Sequence, residues 1–417
     1  MTPAMALVVL ATAAAPTTAP ITEADAVALA LHNSPQVKFR SHFIDEARAL
    51  TEVALRWNNP LLRFSGLRYD RLVEPPLRGE AYDDHPLYHS SIALRWSPPE
   101  LGQRRARAAE GLSGEAEARM DLALARRDTT ALVRKLHAEI LSYDAQLALG
   151  RDVIEQRQKL RTLVQSRLEQ HAATLLDQSL SDVDYLDAMT ELARLEVRRR
   201  AAYDELLIQL GLPAGASITL APSGQTCTAV SDPETLASQA QKANPRLQLY
   251  RAQLYATEAN HRQKSLALFP WFDYFQVGYG FSGNNNPSYV AFQAQLILPL
   301  LDWKRADRRA LTARHEGLVE RIHADERELT DLVLRTTAAQ AEQVALVQRY
   351  RDAASVVESG LLHLRQAMAQ GQITNLFEIV QVQTRLLATQ RSYLRAELDC
   401  KLYQIELERV TSTDETK

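Results

Sequence analysis

The strongest constraint in this 417-residue chain is an internal duplication. The segment AVALALHNSPQVKF beginning at Ala26 resembles LASQAQKANPRLQL beginning at Leu236, with Asn33 and Pro35 answering Asn244 and Pro245. Pro60 then lies as far beyond Pro35 as Pro270 lies beyond Pro245, so the likeness keeps register from a helix into a strand. Further on, LGQRRA from Leu101 corresponds to LDWKRA from Leu301, each closing a strand and opening a long helical pattern. Self-similarity kept over this length means one supersecondary plan used twice. Each half reads helix, strand, loop, strand, long helix, turn, helix. The first repeat is placed at 21–225 and the second at 226–417, behind an N-terminal segment 1–20.

The long helices follow from composition and period. Only 15 Gly and 17 Pro interrupt stretches crowded with Ala, Leu, Arg, Glu and Gln, the residues that lose least on entering a helix. Val347, Tyr350, Ala354, Val357, Leu361, Leu364 and Met368 recur at alternating steps of three and four, a coiled-coil seam that needs a partner helix. Leu132, Leu136, Ile140, Tyr143, Leu147 and Ile154 do the same less strictly in the first half. Helices are expected over about 104–211 and about 304–410. Read as one helix, Arg104 to Gln170 spans about 100 Å, well beyond a compact domain. The net charge of -3 is spread as alternating signs, which gives nucleic acid no footprint.

Strand pairs are expected at about 61–97 and about 272–299. Val290, Phe292, Ala294, Leu296 and Leu298 alternate with Ala291, Gln293, Gln295 and Ile297, and Phe275, Val277, Tyr279 and Phe281 alternate with a more polar set. Ile92, Leu94 and Trp96 alternate with Ser91, Ala93 and Arg95, while Leu61 to Asp70 carries the weakest pattern. Runs of about ten residues with one apolar face match outer-membrane barrel strands. Four strands cannot close a barrel, because about eight are needed before the interior holds side chains. Open edges are not tolerated in lipid, so several copies must pool their strands. A free coiled coil would account for the helices and leave the strands unexplained.

The opening MTPAMALVVLATAAAPTTAP holds an apolar run from Met5 to Ala15, too short to span a bilayer and suited to a signal peptide cleaved after Ala14. No Cys lies near it to carry a lipid anchor. Cys227 and Cys400 either pair in an oxidising compartment or remain inert thiols.

This order of elements resembles the TolC family of outer-membrane efflux channels from about Ile21 to Val410. PPELGQRRAR from Pro98 is similar to the family's strand-to-helix junction, LPLLDWKRADRR from Leu298 is its counterpart, and GQITNLFEIVQVQTRLLATQ from Gly371 resembles the second helical tip. The resemblance implies a mainly α fold with antiparallel β. Four strands per chain would pool in a trimeric 12-stranded β-barrel continuous with a 12-helix periplasmic α-barrel. It implies a homotrimer in the outer membrane of a Gram-negative bacterium, gated at its helical tips. The implied partners are outer-membrane lipid, a periplasmic adaptor and a proton-driven inner-membrane transporter. The ELGQRR wording is similar to the heavy-metal efflux branch. The implied role is an exit duct for metal ions or drugs. The alternatives are a type I protein secretion outlet and, in another class, a soluble periplasmic coiled-coil adaptor or scaffold.

Candidate site residues follow from the same alignment. Gly102, Arg104 and Arg105, with Asp302, Lys304 and Arg305, mark the two junctions. The family's paired gate carboxylates match Glu378 and Gln381, where Gln381 removes one negative charge per subunit. Asp184 and Asp187 repeat that spacing on one helical face. Their other reading is solvated carboxylates near a helix start capped by Ser181 or Asp182. Asp83, Asp84, His85 and His89 offer oxygen and imidazole donors in the first strand loop, but nothing imposes a metal geometry on them. His315 and His323 stand about 12 Å apart along one helix and cannot share an ion. Trp96, Trp271 and Tyr289 are either an interfacial aromatic girdle or ordinary packing. The chain has no glycine-rich phosphate loop, paired-Cys zinc motif or serine elbow, so neither catalysis nor a cofactor is expected.

Overall fold

Pro35 and Pro245 break the leading helix of each repeat in two. A residue before proline is pushed out of the α region; Ser34 sits at φ −54°, ψ 119° and Asn244 at φ −69°, ψ 117°. Each half therefore has two helices where one was expected, and the residue equivalent to Asn244 is Ser34, not Asn33. The computed structural model describes residues 20–69, 87–222, 227–229, 232–282, 288–298, 304–369 and 376–411. Its elements run α1 (Glu23–Asn33), α2 (Pro35–Leu55), β1 (Leu61–Tyr69), β2 (Leu87–Trp96), α3 (Gln103–Glu169) and α4 (Leu175–Leu210) in the first half. The second half repeats them as α5 (Pro233–Ala243), α6 (Pro245–Leu266), β3 (Trp271–Ser282), β4 (Tyr289–Ile297), α7 (Arg305–Ala369) and α8 (Leu376–Thr411). Among the described residues, no helix is long and apolar enough to cross a membrane.

Contacts divide the chain into two compact units, and each draws on both repeats. One comprises Met1–Arg40, Asp121–Asn244 and Glu326–Lys417; the other comprises Ser41–Met120 and Pro245–Asp325.

In the first unit, α1, α3 and α4 meet around Ala26, Ala30, Val133, Leu136, Ile140, Ala202, Leu206 and Leu210. The alanines let α1 lie close, and Leu132 and Tyr143 pack at the margin. The first expected seam thus faces the core. Of the second, Val347, Tyr350 and Ala354 are half-buried, and the other side chains lie outside the described residues. Gly211, at φ 68°, ends α4 in the left-handed region that glycine enters without penalty. Asn33 donates to the Leu210 carbonyl at 2.9 Å beside it. Cys227 and Cys400 are joined by a disulfide with Cα atoms 6.1 Å apart, so the pairing alternative holds. Gln340 donates to the Thr228 carbonyl at 3.1 Å, so the linker between the halves is held by both α7 and α8.

His137 is wholly buried in α3, and among the described residues neither ring nitrogen has a side-chain partner in hydrogen-bond geometry. Burial pushes its pKa below the ordinary histidine value; Glu23 and the Ile21 backbone pull the other way, and Lys401 adds to the fall. The folded chain thus holds this proton less tightly than the unfolded chain. Stability from the neutral ring is full above about pH 6.5 and is lost as the pH falls below it. The midpoint for denaturant unfolding should fall on acidification through that window, and His137→Gln should flatten the dependence. An unchanged pH profile in the variant would contradict the assignment.

In the second unit the four strands form one antiparallel sheet in the order β1-β2-β3-β4. Pro60 and Pro270 immediately precede β1 and β3, as the repeat requires. Helix α6 is tied to α3 by Asn260 donating to Glu110 at 2.8 Å, and to the turn before α3 by Gln263 donating to Glu100 at 3.0 Å.

Candidate functional site

Register sorts the sheet into two faces. Phe64, Ile92, Tyr279 and Val290 stand in one row, and Leu62, Leu94, Val277 and Phe292 in the next. These side chains are exposed, Phe292 at 78% and Val277 at 48%. Among the described side chains this face carries no charge. The other face holds Leu61, Arg95, Gln276 and Gln293 in one row and Ser65, Ser91, Gly280 and Tyr289 in another. Ser65 and Ser91 share a hydrogen bond at 2.7 Å. One side of the sheet is thus exposed and apolar, and the other is more polar.

The three candidate aromatics divide between these faces. Trp96 extends the apolar side, stacking on Phe275 at 6.5 Å and meeting Trp57 at 5.9 Å. Tyr289 lies on the polar side, where a Cβ on Gly280 would come within 2.5 Å of its ring. Trp271 pairs with Ile297, also on the polar side, and its indole donates to the Pro99 carbonyl at 3.0 Å. Trp96 thus stands on the opposite face of the sheet from Trp271 and Tyr289. The irregularity between Phe272 and Tyr274 adds a residue that reverses the alternation. The apolar face instead carries a ladder of Trp57, Trp96, Phe275 and Phe272, the last pair 4.6 Å apart. Alternation in the sequence pointed to Phe275, whereas Trp57 and Phe272 had no such signal.

The first junction is a compact cap. Gly102 sits at φ 78°, and a Cβ there would lie 3.0 Å from Leu266 and 3.3 Å from the Gln263 backbone. Gln103 donates its backbone N–H to the Glu100 carbonyl, and its side-chain oxygen accepts from the Glu100 N–H. Arg104 places its guanidinium 4.5 Å from the centre of the Trp57 ring. Arg105 is exposed and, with Arg104, Glu258 and His315, lines a cleft of about 1000 Å³. His315 faces Glu258 at 3.3 Å. At the second junction Lys304 takes the left-handed role at φ 50°, and α7 starts at Arg305. Gly102 therefore corresponds structurally to Lys304, two positions from the Asp302 that sequence alignment gave it. Asp302 lies outside the described residues.

Helix α4 starts earlier than expected. Its cap is Thr174, not Ser181 or Asp182, and Thr174 forms a capping box with Asp177. The bonds from Thr174 hold the Asp177 carboxyl below its ordinary pKa. Ser181 is buried and donates to the Gln178 carbonyl. Asp184 pairs with Arg157 of α3 at 2.7 Å, and Asp182 with Arg161 at 2.5 Å, lacing the α3–α4 hairpin. Asp184 and Asp187 line a cleft of about 490 Å³ together with Arg157, Glu191 and Arg391. Asp187 has no ion pair among the described residues. Glu191 meets Arg391 of α8 at 3.2 Å. Glu378 and Gln381 fall near the start of α8, and their side chains lie outside the described residues. So do Asp83, Asp84, His85 and the His89 side chain. Among the described residues no group of three potential ligands could hold a metal ion.

No protein-family model and no curated protein sequence matches this chain. Solved structures do match its fold. The outer membrane protein VceC from Vibrio cholerae aligns with TM-score 0.74 at 15% identity over 94% of this chain and 97% of its own. The open state of the Neisseria gonorrhoeae MtrE outer membrane channel aligns at 0.74 and 14% identity, over 93% and 88%. CusC, described by its transmembrane channel formation, aligns at 0.68 and 15% identity, over 94% and 92%. The chain has the TolC-like outer-membrane channel fold.

Proposed function

We propose that this chain is one subunit of a trimeric outer-membrane exit duct, which passively conducts small toxic solutes, metal ions or drugs, to the cell exterior. The observation that carries this reading is the four-stranded sheet, with one exposed face free of charge among the described side chains and with β1 and β4 as its two edges. Such a sheet is complete in lipid only when each β1 edge meets the β4 edge of a neighbour. Three copies give twelve strands. Leu176, Leu180, Val183 and Leu186 of α4 are exposed at helical spacing and offer an apolar stripe to an adjoining helix. The structural neighbours OprN and MtrE, both outer-membrane channels, support the same reading. No residue is assigned a catalytic role; energy comes from an inner-membrane transporter, reached through a periplasmic adaptor. After cell fractionation the protein should sediment with outer membranes. Recovery in the soluble fraction would favour the periplasmic scaffold.

The gate is placed at the helical tips, where Asp184 and Asp187, with Glu378 and Gln381, bear on closure. The Arg157–Asp184 pair supports a closed hairpin that a docking partner would loosen. Asp184→Ala combined with Glu378→Ala should raise closed-state leakage about twofold to fivefold, the scale of partly exposed ion pairs. Unchanged single-channel conductance in both closed and open states would remove these residues from the gate.

A further inference from the structure

The aromatic ladder ends against arginine. Trp57, Trp96, Phe275 and Phe272 run across the apolar face where the strands meet the helices. Asn58 fixes the turn beneath them, donating to the Ser97 carbonyl and accepting at its own carbonyl from the Trp96 indole, both at 3.1 Å. Arg104 stands 4.5 Å over the Trp57 ring, and Arg56 precedes Trp57 in sequence; both are exposed. Among the described residues neither has a carboxylate partner. Arg104 also sits in the first turn of α3, where the helix dipole favours an anion.

We infer that Arg104 and Arg56, with Trp57 between apolar surface and water, bind the phosphate headgroup of an anionic phospholipid. The inference rests on reading the apolar face as lipid-facing. A stacked aromatic holds the guanidinium plane in place, leaving its N–H edge to grip phosphate oxygens. The apolar ladder beside it accepts the acyl chains of the same molecule. A basic residue near a membrane surface favours anionic lipid by about 1 kcal/mol, a factor of about five.

The test reconstitutes the full chain in vesicles of equimolar phosphatidylglycerol and phosphatidylethanolamine, then weighs retained lipid by native mass spectrometry. The wild type should keep phosphatidylglycerol preferentially, and Arg104→Gln and Arg56→Gln should each cut that preference about fivefold. Arg48→Gln, in α2 and outside the ladder, should leave it unchanged. Equal retention of both lipids, an equal loss in Arg48→Gln, or displacement by excess inorganic phosphate would overturn the lipid site. Failure of the wild type to float with vesicles would overturn the membrane reading itself, a separate result.

Discussion

Val277→Arg should reduce stable membrane insertion to less than about a tenth of wild type. Val277 lies near the middle of β3, flanked in register by Leu94 and Phe292 on the apolar face. An arginine on the lipid face of a barrel strand costs roughly 2–4 kcal/mol near the midplane, and a trimer carries that cost three times. The neighbouring Gln276 supplies the control. It pairs with Arg95 and Gln293 on the polar face, so Gln276→Arg should insert almost normally. Flotation with vesicles after reconstitution measures both. Equal insertion of the two variants would mean that the sheet faces are not what separates lipid from water.

Breaking the Cys227–Cys400 disulfide should be the largest single loss of stability in the first unit. The bond closes a sequence separation of 173 residues. Constraint of the unfolded chain by so long a loop is worth about 5 kcal/mol on the entropy model. Cys400 is also wholly buried in α8, so Cys400→Ser would place a hydroxyl there; Cys227→Ser is the cleaner variant. It should lower the thermal midpoint by about 10 °C, and reductant should do the same to the wild type and nothing further to the variant. Coincident melts with and without reductant would show that the bond contributes nothing.

The parts of the fold that were legible in sequence are those where one local signal decides. The seam from Leu132 to Leu147 faces the core because a 3.6-residue period can bury only one side of a helix. Strand faces followed from the period of two, including β1, whose weak pattern gained support only from its partners Ile92 and Leu94. The proline breaks were present in sequence too, since Pro35 and Pro245 exclude helix at the residue before them.

What stayed hidden depended on choices between equivalent local signals. Thr174 and Ser181 each precede an aspartate at capping-box spacing, and only the packed hairpin selects Thr174. A one-residue irregularity after Phe272 moved Trp271 to the polar face, which no composition argument detects. The two junctions align by their arginines in sequence but by their left-handed residues, Gly102 and Lys304, in space. For Glu378 and Gln381 the assignment still rests on the resemblance alone.

The most direct test of the duct is conductance of the purified full-length protein in a planar bilayer, with its oligomeric mass measured in the same detergent. A trimeric mass with small, stable channels is the predicted result. A monomer or soluble oligomer that leaves the bilayer silent would contradict the account, whatever the helices and the sheet look like.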